Sequence, residues 1–240
     1  MLSCSLGTSP AYSACEDEAG PQVNWANCDL SGKDLKNSDL SNAVLTSAVL
    51  DNADLSGAVL EDADLNFASL KNTRFDGARM SNSKLVSVKA QGASFRKAVL
   101  EHSHLSRARL NDADFTESRA NSVNFYDAVL TSAIFTRARL VKANLENSDL
   151  SRAKLDAASM EKSVLRNAKL HGTTFIKADL TRAVFDDSDC RGADFTASDL
   201  TKASFREAEI EEAVFEQAIL KDTTWSDYKR CRASSIGTCK

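Results

Sequence analysis

Ala43-Val44-Leu45-Thr46-Ser47-Ala48-Val49-Leu50-Asp51-Asn52-Ala53-Asp54-Leu55-Ser56-Gly57 is a single register written three times: a small residue, a variable one, a leucine, and two polar or small residues. Followed outward, the register runs from Trp25 to Trp225 without an insertion or deletion. Its 41 centres comprise 23 Leu, 10 Phe, Trp25, Trp225, Met80, Met160, Ala90, Ala120, Cys190 and Ile210. Two residues before each centre stand 25 Ala, 8 Ser and 3 Thr, with Val23, Cys28, Lys33, Val88 and Val123 as departures. A repeat this regular decides the architecture before any local propensity is weighed.

A period of five excludes the two simplest answers. An α-helix turns about 100° per residue, so steps of five scatter the leucines around the cylinder and no apolar stripe forms. In a straight strand an odd step sends successive leucines to opposite faces. The inward pair two apart, such as Ala43 and Leu45, still suits a short extended segment, so the chain must bend once in every five residues. Gly32, Gly57, Gly77, Gly92, Gly172 and Gly192 all fall two places after a centre, where such a bend needs backbone freedom.

Square corners would close a coil in twenty residues. We number the four sides by their first centres: Trp25 (side 1), Leu30 (side 2), Leu35 (side 3) and Leu40 (side 4). Phe75, Phe95, Phe115, Phe135, Phe175, Phe195 and Phe215 then fall on side 3, while Phe125, Phe185 and Phe205 fall on side 1, opposite. Random placement would confine ten Phe to one opposite pair of sides roughly once in five hundred trials. This excludes a three-sided coil and fits a four-sided one. Ala90 and Ala120 underfill their columns, with Val88 and Val123 nearby as compensation.

Ala53-Asp54-Leu55-Ser56-Gly57 and Ala143-Asn144-Leu145-Glu146-Asn147 resemble the A(D/N)LXX signature of the pentapeptide repeat family, and the likeness extends over residues 23–227. The resemblance implies an all-β fold: a right-handed quadrilateral parallel β-helix of about ten coils. The Leu and Phe centres would be stacked inside, with the seven side 3 Phe as the main core stack. At ~4.8 Å per coil the rod would be about 50 Å long. The expected organisation is an amino-terminal leader or cap over 1–22, the solenoid over 23–227 and a carboxyl-terminal cap or tail over 228–240.

An open solenoid must cover its terminal coils, and Trp25 and Trp225 stand where lids are needed. Lys33 marks a first coil whose interior is not yet closed. Cys190 lies inside the series, but Cys15 and Cys28 gather at one end and Cys231 and Cys239 at the other. These four suggest one disulfide per cap and an oxidising compartment; reduced surface thiols are the alternative. No two Cys have zinc-knuckle spacing. Both ends of the chain also resemble exported bacterial members of the family, with Ala11-Tyr12-Ser13-Ala14 closing a signal peptide, although residues 1–14 lack a basic start and a long apolar run. The reading carried forward is a periplasmic or extracellular protein, with the cytoplasm as alternative.

Nothing in the chain reads as reactive chemistry. His102 and His104 with Glu101 could hold a metal only weakly and read better as a solvated face. The glycines are single and spaced by the repeat, so no phosphate-cradling loop exists. No run of 18 apolar residues could span a membrane. We therefore expect no enzyme, no cofactor, no bound metal and no nucleic acid as partner. The expected role is a rigid scaffold or protein-binding surface with an unknown protein partner, the chain being a monomer or a weak end-to-end dimer. A second reading is a duplex-DNA mimic engaging DNA gyrase, as the resemblance implies for quinolone-resistance members. Mimicry needs a dense negative surface. Formal charges summed over residues 23–227 by side are −3, −2, 0 and 0, and no basic stripe is evident either.

Overall fold

A computed structural model describes residues 15–240. The signal-peptide reading of Ala11–Ala14 lies outside the described residues. From Asn24↔Val44 to Ser204↔Thr224, every fifth residue forms a parallel bridge to the residue twenty positions later. One turn of the chain is therefore four pentapeptides, and the molecule is a four-sided parallel β-helix.

The corner is a hydrogen-bonded turn. Ala48 N donates to Leu45 O at 3.0 Å, and the third residue of that turn, Ser47, has φ 60°. The same pair of features recurs along the rod, and a lone positive φ at the third position is the type II signature. All corner positions from Gln22 to Asp222 adopt it, most of them without glycine. Gly57 shows where glycine is needed for space as well: a Cβ there would lie 2.4 Å from Oδ1 of Asn37, one coil below.

The backbone amides account for the family signature. The centre and corner N–H groups donate to the following coil, as in Leu45 N to Asp64 O at 2.7 Å and Ser47 N to Asn66 O at 2.9 Å. The residue before the centre donates to the preceding coil, as in Val49 N to Cys28 O at 2.8 Å. That leaves the amide after each centre without a backbone partner. Where Asp or Asn precedes the centre, its Oδ1 accepts this N–H, as in Asp54 from Ser56 and Asn144 from Glu146, both at 3.0 Å. At some of the other rungs an Asp or Asn one coil below substitutes, as in Asp51 from Lys71 at 2.9 Å and Asp186 from Arg206 at 3.2 Å. The second signature residue thus satisfies a donor that the fold would otherwise orphan.

The interior is filled by one apolar column per side. Phe75, Phe95, Phe115 and Phe135 stack with centroids 4.7–5.0 Å apart and planes within 7°. Phe175, Phe195 and Phe215 form a second stack at 5.0 Å. The Phe of side 1 meet these stacks edge-on, Phe125 lying 5.6 Å from Phe115 at 83°. Rung spacing imposes the parallel stack, and the opposite column supplies the edge-to-face contact that aromatic quadrupoles favour. Small-series hydroxyls mostly bond to backbone: Ser83 Oγ donates to Met80 O at 2.6 Å and Thr73 Oγ1 to Leu50 O at 2.8 Å. Ser118 and Ser163 have no such partner among the described residues.

Both ends are closed. Trp25 is buried, and Trp225 tilts onto Phe215 at 4.9 Å and Phe205 at 5.9 Å. The last residues fold back in antiparallel bridges, Ile219↔Ile236 and Thr224↔Arg230. Disulfides join Cys15 to Cys28 and Cys231 to Cys239. Lys33 is exposed in the first coil.

Candidate interaction surface

Residues reach solvent at three positions of each repeat: before the centre, after it, and at the corner. Twenty-residue stacking turns each position into a column, so the surface is a lattice of twelve columns. The four sides differ in how their charges are used.

Side 3 links its charges into ion pairs in the lower and middle coils. Lys36 bridges Asp34 and Asp54, both at 3.4 Å, and Arg74 bridges Asp54 at 3.5 Å and Asp76 at 3.4 Å. Higher up, Arg96 meets Asp114 at 2.7 Å, and Glu117 is flanked by Lys97 at 3.8 Å and Arg137 at 3.7 Å. Burial alone would raise the Asp114 pKa, but hydrogen bonds from Thr116 and Arg96 outweigh it and hold the carboxyl below its usual range. Side 4 has cross-coil pairs as well, Arg79 with Glu61 at 2.7 Å and Arg119 with Glu101 at 2.9 Å. On side 2, Arg191 clasps Asp189 at 2.7 Å and Glu209 at 3.1 Å, and its hydrogen bond lowers the Asp189 pKa.

Side 1 is different. In its own columns and at its corner with side 2, the one ion pair among the described residues is Arg107 with Asp127, at 3.8 Å. Its outward residues include Val44, Val86, Tyr126, Val164 and Val184, of which Val44 and Tyr126 are exposed. At its corner with side 2 stands Phe67, 60% exposed at φ 63°. A bulky residue in left-handed backbone is strained, and an exposed ring adds nothing to the core. The fold accepts Gly, Asn or Asp at this position without either cost.

The two edges of side 1 carry opposite charge in the upper half of the rod. Along the corner shared with side 4, Lys142, Lys162, Arg182 and Lys202 are exposed and stacked one per coil, their amides donating to residues 161, 181, 201 and 221 at 2.8–2.9 Å. One carboxylate serves this ladder: Glu161, 2.8 Å from Lys162 and 3.7 Å from Arg182. Like charges on adjacent rungs repel. Along the corner shared with side 2, the same levels hold Asn147, Asn167, Asp187 and Glu207, and the Tyr228 hydroxyl donates to Glu207.

The ladder corrects the reading that the chain carries no basic stripe. A charge tally by side averages along the rod, and the segregation runs lengthwise. Residues 63–182 hold 20 Lys and Arg against 12 Asp and Glu. Residues 23–62 hold 2 against 7, and residues 183–222 hold 4 against 11.

Glu101 is engaged by Arg119, His102 occupies a corner and His104 lies on side 1. Among the described residues no group of three or more metal-ligating side chains gathers, and no pocket is formed. Cys190 is fully buried, and desolvation pushes its thiol up to about 12. The seven side 3 Phe are all interior.

A backbone coiled in twenties, cornered by left-handed residues and lined with Leu and Phe columns, defines a repeat class. The family profile described as "Pentapeptide repeat region" matches residues 68–145 and 138–215, and that described as "Pentapeptide repeats (8 copies)" matches residues 26–62. The chain belongs to the pentapeptide repeat family, whose members are right-handed quadrilateral β-helices and generally structural or interaction proteins rather than enzymes. Among solved structures it is similar to HetL from the cyanobacterium Nostoc, a pentapeptide repeat protein involved in heterocyst differentiation regulation. The two share 28% identity over 88% of this chain and 92% of that one, with a TM-score of 0.50. It is also similar to full-length QnrB1, a plasmid-mediated fluoroquinolone resistance protein, at 19% identity over 84% and 92% of the chains and a TM-score of 0.43. Rfr23 from the cyanobacterium Cyanothece shares 26% identity over 47% and 63%, with a TM-score of 0.29. A comparison with curated proteins finds no match.

Proposed function

We propose that this protein is a non-enzymatic, rigid, exported scaffold that presents side 1 to a protein partner. The observation that carries the reading is the contrast between sides. The lower and middle coils of side 3 link their charges into ion pairs, whereas among the described residues the columns of side 1 and its corner with side 2 pair only Arg107 with Asp127, and that corner holds the strained, exposed Phe67. Features that cost folding stability are retained where they serve contact. Export is supported by a disulfide at each end, since such bonds persist in oxidising compartments. No helix of the described residues is long and apolar enough to cross a membrane. Duplex mimicry is disfavoured because the middle of the rod carries a basic excess, the opposite of a phosphate array.

The test is photocrosslinking in the producing cells. A benzoyl-phenylalanine replacing Tyr126 on side 1 should give covalent protein adducts, and one replacing the exposed Lys154 on side 3 should give none. Adducts from position 154 alone would sink the reading. Thiol alkylation before and after reduction should count four protected cysteines in protein from its native compartment, and four free ones would refute export.

A further inference from the structure

We infer that the partner of side 1 is a second copy of this chain, packed side 1 to side 1 with both rods pointing the same way about a two-fold axis parallel to them. The inference rests on the reading of side 1 as the contact surface and adds the occupant.

A rotation of 180° about an axis parallel to the rod brings the basic edge of one copy over the acidic edge of the other, and does so at both edges at once. Residues five apart lie on one rung, so each corner residue meets the partner residue five places further on. Arg182 then faces Asp187 of the second copy, and Lys202 faces Glu207; Lys142 and Lys162 face Asn147 and Asn167. Symmetry doubles each pairing. In the antiparallel alternative the ladder would lie over Asn42, Asp62, Asn82 and His102 of the same edge, one carboxylate where the parallel arrangement supplies Asp187 and Glu207.

The face between the edges opposes no like charges. The column before the side 1 centres would oppose the column after them: Asn144 meets Glu146 and Ser204 meets Arg206, while Lys84, Arg166 and Asp186 meet Val86, Val164 and Val184, so the attraction lies at the edges. At the corners three pairings bring no attraction, and the first sets Asp62 against Phe67. Asp222 would meet Asp227 but is neutralised by Arg230 at 3.3 Å, and Arg107, which would meet His102, is held by Asp127. Rung spacing matches automatically, because both surfaces repeat at ~4.8 Å. An arbitrary protein or a flexible polyanion has no such built-in period.

Size sets the affinity class. A side about 50 Å long and about 12 Å wide buries roughly 1,200 Å² over both copies, at the lower limit of stable interfaces. The dimer is therefore one of micromolar strength, held by edge charges and sensitive to salt. Its interface is isologous and closed.

Sedimentation equilibrium of the full chain from 1 to 200 μM tests this. At 50 mM NaCl a monomer–dimer equilibrium is expected, weakening about tenfold at 500 mM NaCl. R182E/K202E and D187K/E207K should each be monomeric across the range, with unchanged circular dichroism and melting. Mixing the two restores opposite charge at both edges, so a one-to-one heterodimer should form. A wild-type chain that stays monomeric at 200 μM overturns the inference, as does a dimer that survives both reversals or a mixture that fails to associate. If the chain is monomeric while position 126 still crosslinks to a different protein, the surface reading stands and the self-association falls.

Discussion

Sides 1 and 3 share one backbone, one rung spacing and one interior logic, yet they have opposite exteriors. Behind side 3 lie the two longest phenylalanine stacks, and on its outer surface lies a run of ion pairs linking successive coils. Side 1 covers shorter aromatic columns, and most charges in its own columns lie outside ion pairs; Val44 and Tyr126 face water there, as Val214 does on side 3. The lattice imposes neither pattern. A pentapeptide fixes what points inward and what satisfies its amides, leaving three columns per side free for other purposes.

The largest effect should separate interior from exterior phenylalanine. Leu110→Asp or Phe115→Asp buries a lone carboxylate between coils and should cost more than about 4 kcal/mol, enough to sever the rod. Phe115→Ala should cost about 3–5 kcal/mol, read by urea unfolding. Phe67→Asn, the same residue type on the opposite side's edge, should leave stability unchanged or raise it by up to about 1 kcal/mol by relieving left-handed strain. Equal losses at 67 and 115 would erase the distinction.

Removing one disulfide comes next. Cys239→Ser should loosen the carboxyl-terminal cap by about 2–3 kcal/mol, the entropy of a short closed loop, with hydrogen exchange rising first around Ile236 and Thr224. Exchange that rises first in the middle coils would contradict closure by caps. The smallest effect belongs to the ion pairs of side 3. Arg96→Ala should cost under about 1 kcal/mol and less at high salt.

The pH dependence should follow the hydrogen-bonded aspartates, Asp189 on side 2 and two on side 3 among them. Asp54 and Asp114 are held below the ordinary aspartate value of 3.8; in each, burial opposes the shift and hydrogen bonds to Ser56 or to Thr116 and Arg96 prevail. Above 3.8 both folded and unfolded chains are ionised and their stabilisation is fully present. As pH falls below 3.8 the unfolded chain takes up protons first, so stability declines, and it is lost once the folded carboxyls titrate. Urea midpoints should be level from pH 7 to 5 and fall below 4. Asp114→Asn should flatten that fall, and an unchanged acid limb would remove Asp114 from the account.

The coil, its four sides and the phenylalanine columns were legible because Leu and Phe recur at five and ten without interruption. The cap cysteines were legible from their clustering at the two ends of the repeat. The interaction surface was not. Lys142, Lys162, Arg182 and Lys202 are strangers at any short spacing and become neighbours only at twenty, after the coil is known. Summing charge by side also hid a segregation that runs along the rod. Phe67 carried a local signal, an aromatic at a position otherwise held by polar, charged, glycine or alanine residues, but its meaning required knowing that all these positions are left-handed. The role of Asp and Asn before the centre likewise needed the hydrogen-bond pattern, since nothing in the spacing says which amide lacks a partner.

Each coil is hydrogen-bonded only to the one before it and the one after it, so an interior coil has no free border from which to peel. Loss of structure must start at a tip and travel inward like a run in knitted fabric, and each tip is tied off by a sulfur–sulfur bond. The lifetime of the whole rod is therefore governed by two short knots far from its middle. A reducing agent would act on it as scissors act on a hem.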